Sequence, residues 1–502
     1  MSVLKKLVSD TALYGLSTMV GRLLNYLLVP LHTSFFLPAD LAIQVQLYAY
    51  AGFAFVLYTF GMETAFFRYA RNEKDRQQYY NLILSAVILV SLVFSGTLLT
   101  FSNQIAAFIQ YPENGNLVRM FAIIMATDAI ASIPFAKLRL ENKAKKFVAI
   151  RITNILITIA LNIFFLVFCG DIYQGAYLSS FKPIVDLIYD PLHAPDYIIL
   201  ANLIANLSFL FFLRKELANF KFVLNKELFK PVWVYAFPIL IMNAAALINS
   251  LFDRAFLQFL LPDQFYPNRT TKDAIGIYGQ CFKLSIFMNL AIQAFKYAAE
   301  PFFFSNAEDK NAPVLFAMVM KWFIIICVTM WVGISLNVDL LAEIFLKKKI
   351  FHEGIAVVPW LLAGFLFLGI YYNLATWFKL SDKTQYGTYI TIAGAAVVIV
   401  LNLSLVPKIG YLGCAIAFAC SCFTMAALCY YFGQIHYPIP YNVPSALGYI
   451  STGATLIYLS SLVPVPNLWI AVPVHIFIFL VFLGIALWIE RESLPFLKRK
   501  SA

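Results

Sequence analysis

YAYAGFAFVLYTFGMETAFFRYARNEKDR, Tyr48 to Arg76, starts as an unbroken apolar run and ends as a patch dense with charge. Glu63 and Arg68 appear before the run has finished, and their presence in so apolar a segment needs a cause. A stretch of about 20 apolar residues wound as a helix crosses a hydrocarbon core about 30 Å thick. The charged tail then marks the point where the chain leaves lipid.

The rest of the chain follows the same pattern. Of 502 residues, 61% are hydrophobic and 13% charged, with a mean hydropathy of +0.78. Soluble domains hold about 45–50% apolar and 25% charged residues. Fourteen apolar stretches are predicted as membrane helices, near 11–35, 43–67, 81–102, 117–136, 147–169, 196–213, 232–252, 274–297, 314–336, 355–378, 386–406, 411–432, 444–462 and 468–489. Continuous runs of this length favour helices over outer-membrane strands, which alternate polarity in segments of about ten residues. The fold class expected is an all-α polytopic membrane protein. The basic MSVLKK start precedes a stretch interrupted by Arg22, so it reads as a retained first helix rather than a cleaved leader.

The formal charge of +11 is explained by topology, not by nucleic acid. Lys and Arg crowd alternate loops: Arg68 to Arg76, Lys137 to Lys146, Arg214 to Lys230, and the C-terminal tail. The intervening loops are poor in them, and that from Gly170 to Tyr197 carries Lys182 against Asp171, Asp186, Asp190 and Asp196. The cluster Lys347 to Lys349 is an exception. The bias places both termini in the cytoplasm.

No loop is long enough for a soluble catalytic domain. The seven cysteines lie in apolar segments without metal spacing, and no Ser, His and acid set faces a common loop. An enzyme is therefore not expected, nor a metal or cofactor. The organisation expected is a lobe of six helices over 1–213, a basic linker 214–231, a second six-helix lobe over 232–433, and a final pair of helices with a basic tail over 434–502. A faint echo between AFFRYA (Ala65 to Ala70) and AFKYAAE (Ala294 to Glu300), six helices apart, fits a duplicated transporter with its site between the halves.

Charges inside membrane helices normally face a partner or a polar cavity, because each costs about 2.5–3.5 kcal/mol at the centre even on gentle scales. Thr18, Arg22, Asn25 and His32 recur along one face of the first stretch. Ser285, Asn289, Gln293, Lys296 and Glu300 do the same on the eighth, with Lys283 nearer its start. Glu63 and Arg68 are five apart, about 140° around a helix, so Glu63 is expected to face another helix while Arg68 extends to the headgroups. Asp128, deep in the fourth stretch, binds a coupling H⁺ or Na⁺ or pairs with Arg22 or Arg151. Asp253 and Arg254 crowd the end of the seventh, as an interfacial pair or with Arg254 reaching outward.

YGLSTMVGRLLNYLLVPLHTSFF (Tyr14 to Phe36), YTFGMETAFFRYA (Tyr58 to Ala70), PFAKLRLENKAKKF (Pro134 to Phe147), AFKYAAEPFFF (Ala294 to Phe304) and YYNLATWFKLSDKT (Tyr371 to Thr384) resemble the polysaccharide transporter family. That family includes flippases for lipid-linked O-antigen units, within the multidrug/oligosaccharidyl-lipid/polysaccharide (MOP) exporter superfamily. The likeness extends to lipopolysaccharide biosynthesis proteins of Bacteroidetes-type bacteria. It implies two pseudo-symmetric lobes around a central cavity that opens alternately to either side of the bacterial inner membrane. The implied cargo is a polyprenyl-diphosphate-linked glycan, with membrane lipid around it and a polymerase and chain-length machinery as partners.

On that likeness, Arg22, Lys283, Lys296 and Arg254 are the candidates to hold the diphosphate. Thr18, Asn25, Asn289 and Gln293 would line the sugar's path, and Glu63, Asp128, Asp253 or Glu300 would carry a coupling H⁺ or Na⁺. Rival readings are an ion-coupled drug or metabolite antiporter of the same superfamily and, from another class, a membrane-embedded polysaccharide polymerase or ligase.

Overall fold

The computed structural model describes residues 24, 26–70, 72–141, 143–305, 309, 311–381, 383–462 and 467–491. Thr18, Arg22 and Asn25 lie outside them. Every regular element among the described residues is helical. The principal helices are α1 (Leu28–Phe35), α2 (Pro38–Thr59), α3 (Met62–Tyr69), α4 (Glu73–Thr100), α5 (Gly115–Leu140), α6 (Ala144–Ile163), α7 (Asp196–Phe212), α8 (Lys226–Leu251) and α9 (Asp253–Leu260). They continue with α10 (Thr271–Leu284), α11 (Ile286–Ser305), α12 (Ala312–Leu336), α13 (Val358–Leu374), α14 (Gln385–Ile409), α15 (Tyr411–His436), α16 (Val443–Leu462) and α17 (Leu468–Ile489).

Among the described residues 10 spans are long and apolar enough to cross a membrane, or 11 with the bent pair α10 and α11. Most of the first expected stretch lies outside the described residues. The sixth is the 17-residue α7, and the thirteenth, α16, is diluted by Ser, Thr and Gly. The bounds of α17 match the sequence reading, with Trp469 and Trp488 at its ends 89% and 65% exposed. Such amphipathic rings suit the two membrane interfaces.

The chain forms two compact units, 1–259 with 266–276, and 260–265 with 277–502. In the first, α5 is the hub, packed against α4, α7 and α2, while α8 lies against α2 and α3. In the second, α15 packs along α13 and α14, and α12 carries α16 and α17. Helix starts are fixed by local chemistry. The Asp40 carboxylate accepts the Leu37 N–H at 2.9 Å beside Pro38, and Asn225 Oδ1 accepts from Glu227 and Leu228 at 3.0 and 3.1 Å.

The last two helices are tied to α12 of the second unit. The Lys321 ammonium of α12 pairs with Glu490 Oε2 at 2.5 Å, and the Tyr449 hydroxyl of α16 donates to Glu490 Oε1 at 3.1 Å. Glu490 is 5% exposed by side chain. One carboxylate thus ties three helices.

The stretch that opened the sequence reading is not one straight helix. Phe60 and Gly61 adopt φ of 34° and 76°, both left-handed, so α2 ends and α3 restarts in a new direction. A Cβ at Gly61 would meet the Ala236 carbonyl oxygen of α8 at 2.8 Å, so both the backbone twist and the close approach require glycine. Gly61→Ala is expected to cost about 1–3 kcal/mol, seen as a lowered unfolding temperature in detergent. Gly96→Ala, mid-helix with open space around it, is expected to be neutral or to gain about 0.5–1 kcal/mol; equal effects at the two positions would refute the argument.

Candidate functional site

The restart at Met62 puts Glu63 in the first turn of α3, where a carboxylate also suits the helix N-terminus. Glu63 pairs with Arg139 at the end of α5, so it does face another helix. The Arg139 guanidinium lies 4.8 Å from the Phe67 ring centre, and Arg68 lies 4.3 Å from that of Tyr235 on α8. Arg68 is therefore packed against an aromatic face as well as available to headgroups.

Sequence reasoning missed the neighbouring pair. Lys146 of α6 reaches both Glu216 oxygens at 2.7 Å, and Glu216 is 6% exposed although it sits in a segment read as a basic linker. The Tyr80 hydroxyl also donates to the Glu216 carbonyl at 3.0 Å. An acid among so many bases, Glu216, carried the signal.

Deeper in the first unit, Asn206 of α7 donates to Asp128 Oδ2 at 3.3 Å, and Asn154 of α6 donates to Asn206 Oδ1 at 3.3 Å. Arg151, one turn before Asn154, is the cation that acts on Asp128. The two form no ion pair among the described residues, and the other partner considered from sequence, Arg22, lies outside them. The Arg151 guanidinium is held over the rings of Phe135, Phe209 and Phe147 at 4.3, 5.4 and 5.8 Å. On the same side of the bundle Asn202 donates to the Tyr48 hydroxyl at 2.5 Å. His32, 3% exposed, bonds Asn162 at 2.9 Å.

Asp253 and Arg254 form their own buried pair, Nη1 to Oδ1 2.7 Å, with side chains 6% and 7% exposed. Arg254 therefore does not reach outward: its neighbouring carboxylate supplies inside the protein the partner that water would otherwise provide.

In the second unit, α10 and α11 meet at a 44° bend, where the Ser285 hydroxyl donates to the Phe282 carbonyl at 2.7 Å. Lys283 is half-buried just before it. Beyond the bend Gln293 donates to Asn289 at 3.0 Å, and one turn later Lys296 lies 4.5 Å from the centre of the Tyr372 ring. Glu300 falls one turn further along α11, and its side chain lies outside the described ones.

Lys296 borders a small pocket that it shares with Phe295, Tyr372, Asn373, Thr376 and Lys379. Asn373 is 4% exposed, and its Nδ2 has no hydrogen-bond partner among the described residues. A buried amide donor left unpaired costs about 1–3 kcal/mol, so this one is positioned for something that accepts. Two ammonium groups, an amide N–H and hydroxyls suit an anion with several oxygens. Asn373, Thr376 and Lys379 were not foreseen as a site. Their regular spacing of three within YYNLATWFKLSDKT, down one side of a helix, was the readable signal.

Similar solved structures share this architecture. The lipid II flippase MurJ in an inward closed conformation covers 96% of this chain and 99% of its own, with a TM-score of 0.72 and 15% identity. A multidrug resistance MATE family transporter of the MOP superfamily, inward-facing, covers 87% and 96%, with a TM-score of 0.62 and 12% identity. The same description in an outward-facing conformation gives 89% and 97%, 0.57 and 13%. No curated protein matches in sequence. The fold is thus a multi-span helical bundle of the kind seen in those MurJ and MATE structures. More particularly, the chain belongs to the polysaccharide biosynthesis protein family, whose profile matches residues 7–306.

The buried pair supplies a test of the interior. Lys146→Ala strands the Glu216 carboxylate and is expected to cost about 3–5 kcal/mol, discounted for the part-exposed lysine. Lys146→Met with Glu216→Leu together should cost clearly less. Thermal unfolding of the three variants in one detergent decides it; a double variant as damaged as the single would show that the pair is not the cause.

Proposed function

We propose that the protein is a flippase that carries a polyprenyl-diphosphate-linked oligosaccharide, an O-antigen or exopolysaccharide unit, from the cytoplasmic to the periplasmic leaflet of a bacterial inner membrane by alternating access. The observation that carries this reading is the pocket of Lys296, Lys379 and the unpaired Asn373 amide, whose donors match the oxygens of a diphosphate. Family membership and the likeness to a lipid II flippase support it. In the topology set by the basic loops, with both termini cytoplasmic, this pocket opens near the cytoplasmic ends of α11 and α13. That is the leaflet where such a substrate is made.

Arg22 and Lys283 are assigned to the same anion at another stage of its passage, with Asn25, Asn289 and Gln293 toward the sugar. Asp128, held by Asn206 and answered by Arg151, is the assigned coupling carboxylate. Loss of its proton or ion would reset the balance with Arg151 and so the packing of α5 against α6 and α7. No cofactor is required beyond that ion.

The test is to delete the gene and locate the accumulated lipid-linked units with an impermeant sugar-modifying enzyme on spheroplasts and on inverted vesicles. Complete units trapped on the cytoplasmic face are expected. Units exposed at the periplasmic face but unpolymerised would indicate a polymerase or ligase, and no accumulation an antiporter. In complementation, Lys296→Ala with Lys379→Ala should lower translocation at least tenfold at unchanged membrane abundance, since a charge-assisted hydrogen bond is worth about 1.5–3 kcal/mol. Asp128→Asn should abolish dependence on the proton or sodium gradient, and a variant that keeps full gradient dependence would remove Asp128 from that role.

A further inference from the structure

The connection between α6 and α7 presents a feature that transport chemistry does not use. Its short helix Lys182–Ile188 has three sides. Val185 and, just beyond the helix, Tyr189 are buried against Phe165, Cys169 and Ile172 of the first unit. Lys182 and Asp186 stand on a charged side. Phe181, Ile184, Leu187 and Ile188 recur at intervals of three, three and one along the remaining side, and Leu187 is 85% exposed. Leu178 and Leu192, 50% and 87% exposed, extend this apolar strip at both ends.

The strip is firmly held. The Asp190 N–H donates to the Tyr197 hydroxyl at 2.8 Å, that hydroxyl donates to the Ile188 carbonyl at 3.2 Å, and Asp190 Oδ1 accepts from Leu192 N–H at 2.9 Å. Tyr197 stacks between Tyr189 and Phe165, with ring centres 5.2 and 4.9 Å away. Seven or so large apolar side chains held outward on a fixed segment are not what water tolerates on a surface this size.

Continuity identifies the cover. Tyr177 at the start of the strip contacts Phe168, ring centres 6.0 Å apart. Phe168 prolongs the exposed flank of α6 through Phe164 and Ile163, a flank that faces lipid if α6 spans the membrane. The strip is therefore an extension of the lipid-facing belt, turned through the loop.

We propose that residues 177–192 lie in the membrane interface as a monotopic segment, with Phe181, Ile184, Leu187 and Leu192 inserted among the lipid chains and Lys182 and Asp186 toward the headgroups. An apolar side beside a charged side on one short helix is the pattern of an interfacial segment. The loop carries one Lys against Asp171, Asp186, Asp190 and Asp196, so anionic headgroups repel it and insertion is driven by apolar contact alone. The segment fixes the depth at which the α6 and α7 ends sit in the bilayer. The assignment is independent of the cargo.

The experiment uses the purified full chain in nanodiscs of phosphatidylcholine alone, where no protein partner is present. Spin labels at Leu187→Cys and Leu192→Cys are compared with Asp263→Cys, an exposed position in another loop, and Phe477→Cys on the exposed face of α17, by relaxation with oxygen and with a water-soluble nickel complex. The expected result is an oxygen-to-nickel ratio at 187 and 192 several-fold above that at 263 and close to that at 477, unchanged when a third of the lipid is phosphatidylglycerol. A ratio at 187 and 192 equal to that at 263 would overturn the proposal and leave the strip as a docking surface for another protein. A ratio that rises only with phosphatidylglycerol would overturn it too, since adsorption would then be electrostatic.

Discussion

A carboxylate in a helix bundle surrounded by lipid has no water to fall back on, so its partner must come from another part of the fold. Much of this structure follows from that constraint. Glu63 meets Arg139, Glu216 meets Lys146, Asp128 meets Asn206 with Arg151 nearby, Asp253 meets Arg254, and Glu490 meets Lys321. Apart from the adjacent Asp253 and Arg254, each couples helices distant in sequence. The packing that apolar contact leaves loosely specified acquires a register.

Apolar side chains cannot supply that register by themselves, because lipid tails are as apolar as leucine and helices gain little by exchanging one for the other. Close approach is the complement to polar pairing. A Cβ on Gly364 would lie 2.4 Å from the Phe418 ring and 3.3 Å from the Ala419 backbone, and one on Gly413 would lie 2.9 Å from the Leu405 backbone. Glycine there lets α15 settle along α13 and α14. Hydroxyls such as Thr59 and Thr329 turn back to their own helix carbonyls at 2.8 Å, which satisfies their protons within the helix.

Several buried polar atoms are left over from this pairing, among them the Gln280 amide and the Asn373 Nδ2. Asn373 is as buried as the paired acids, yet its amide donor is open beside Lys296 and Lys379. A buried amide donor without a partner is a cost that a bound acceptor would remove. The same logic separates the two units. The first holds a chain of amides running to Asp128, and the second holds a cluster of donors around Lys296.

Composition and run length alone determined that this chain is an all-helical membrane protein, where most helices run, and that the acids within them must be answered. The last stretch read from sequence, 468–489, coincides with α17. Family likeness was readable in short motifs, and Lys296 stood out on its polar face. The tertiary structure decided which cation answers each acid. It also decided that Glu63 follows a break at Phe60 and Gly61, that Arg254 stays inside, and that Asn373 and Lys379 join Lys296. The physical reason is that transfer into lipid is a local property summed over some twenty residues, whereas an ion pair or a pocket is a meeting of helices far apart in the chain. Spacing can say which face a residue occupies, but only the packed bundle says what that face meets.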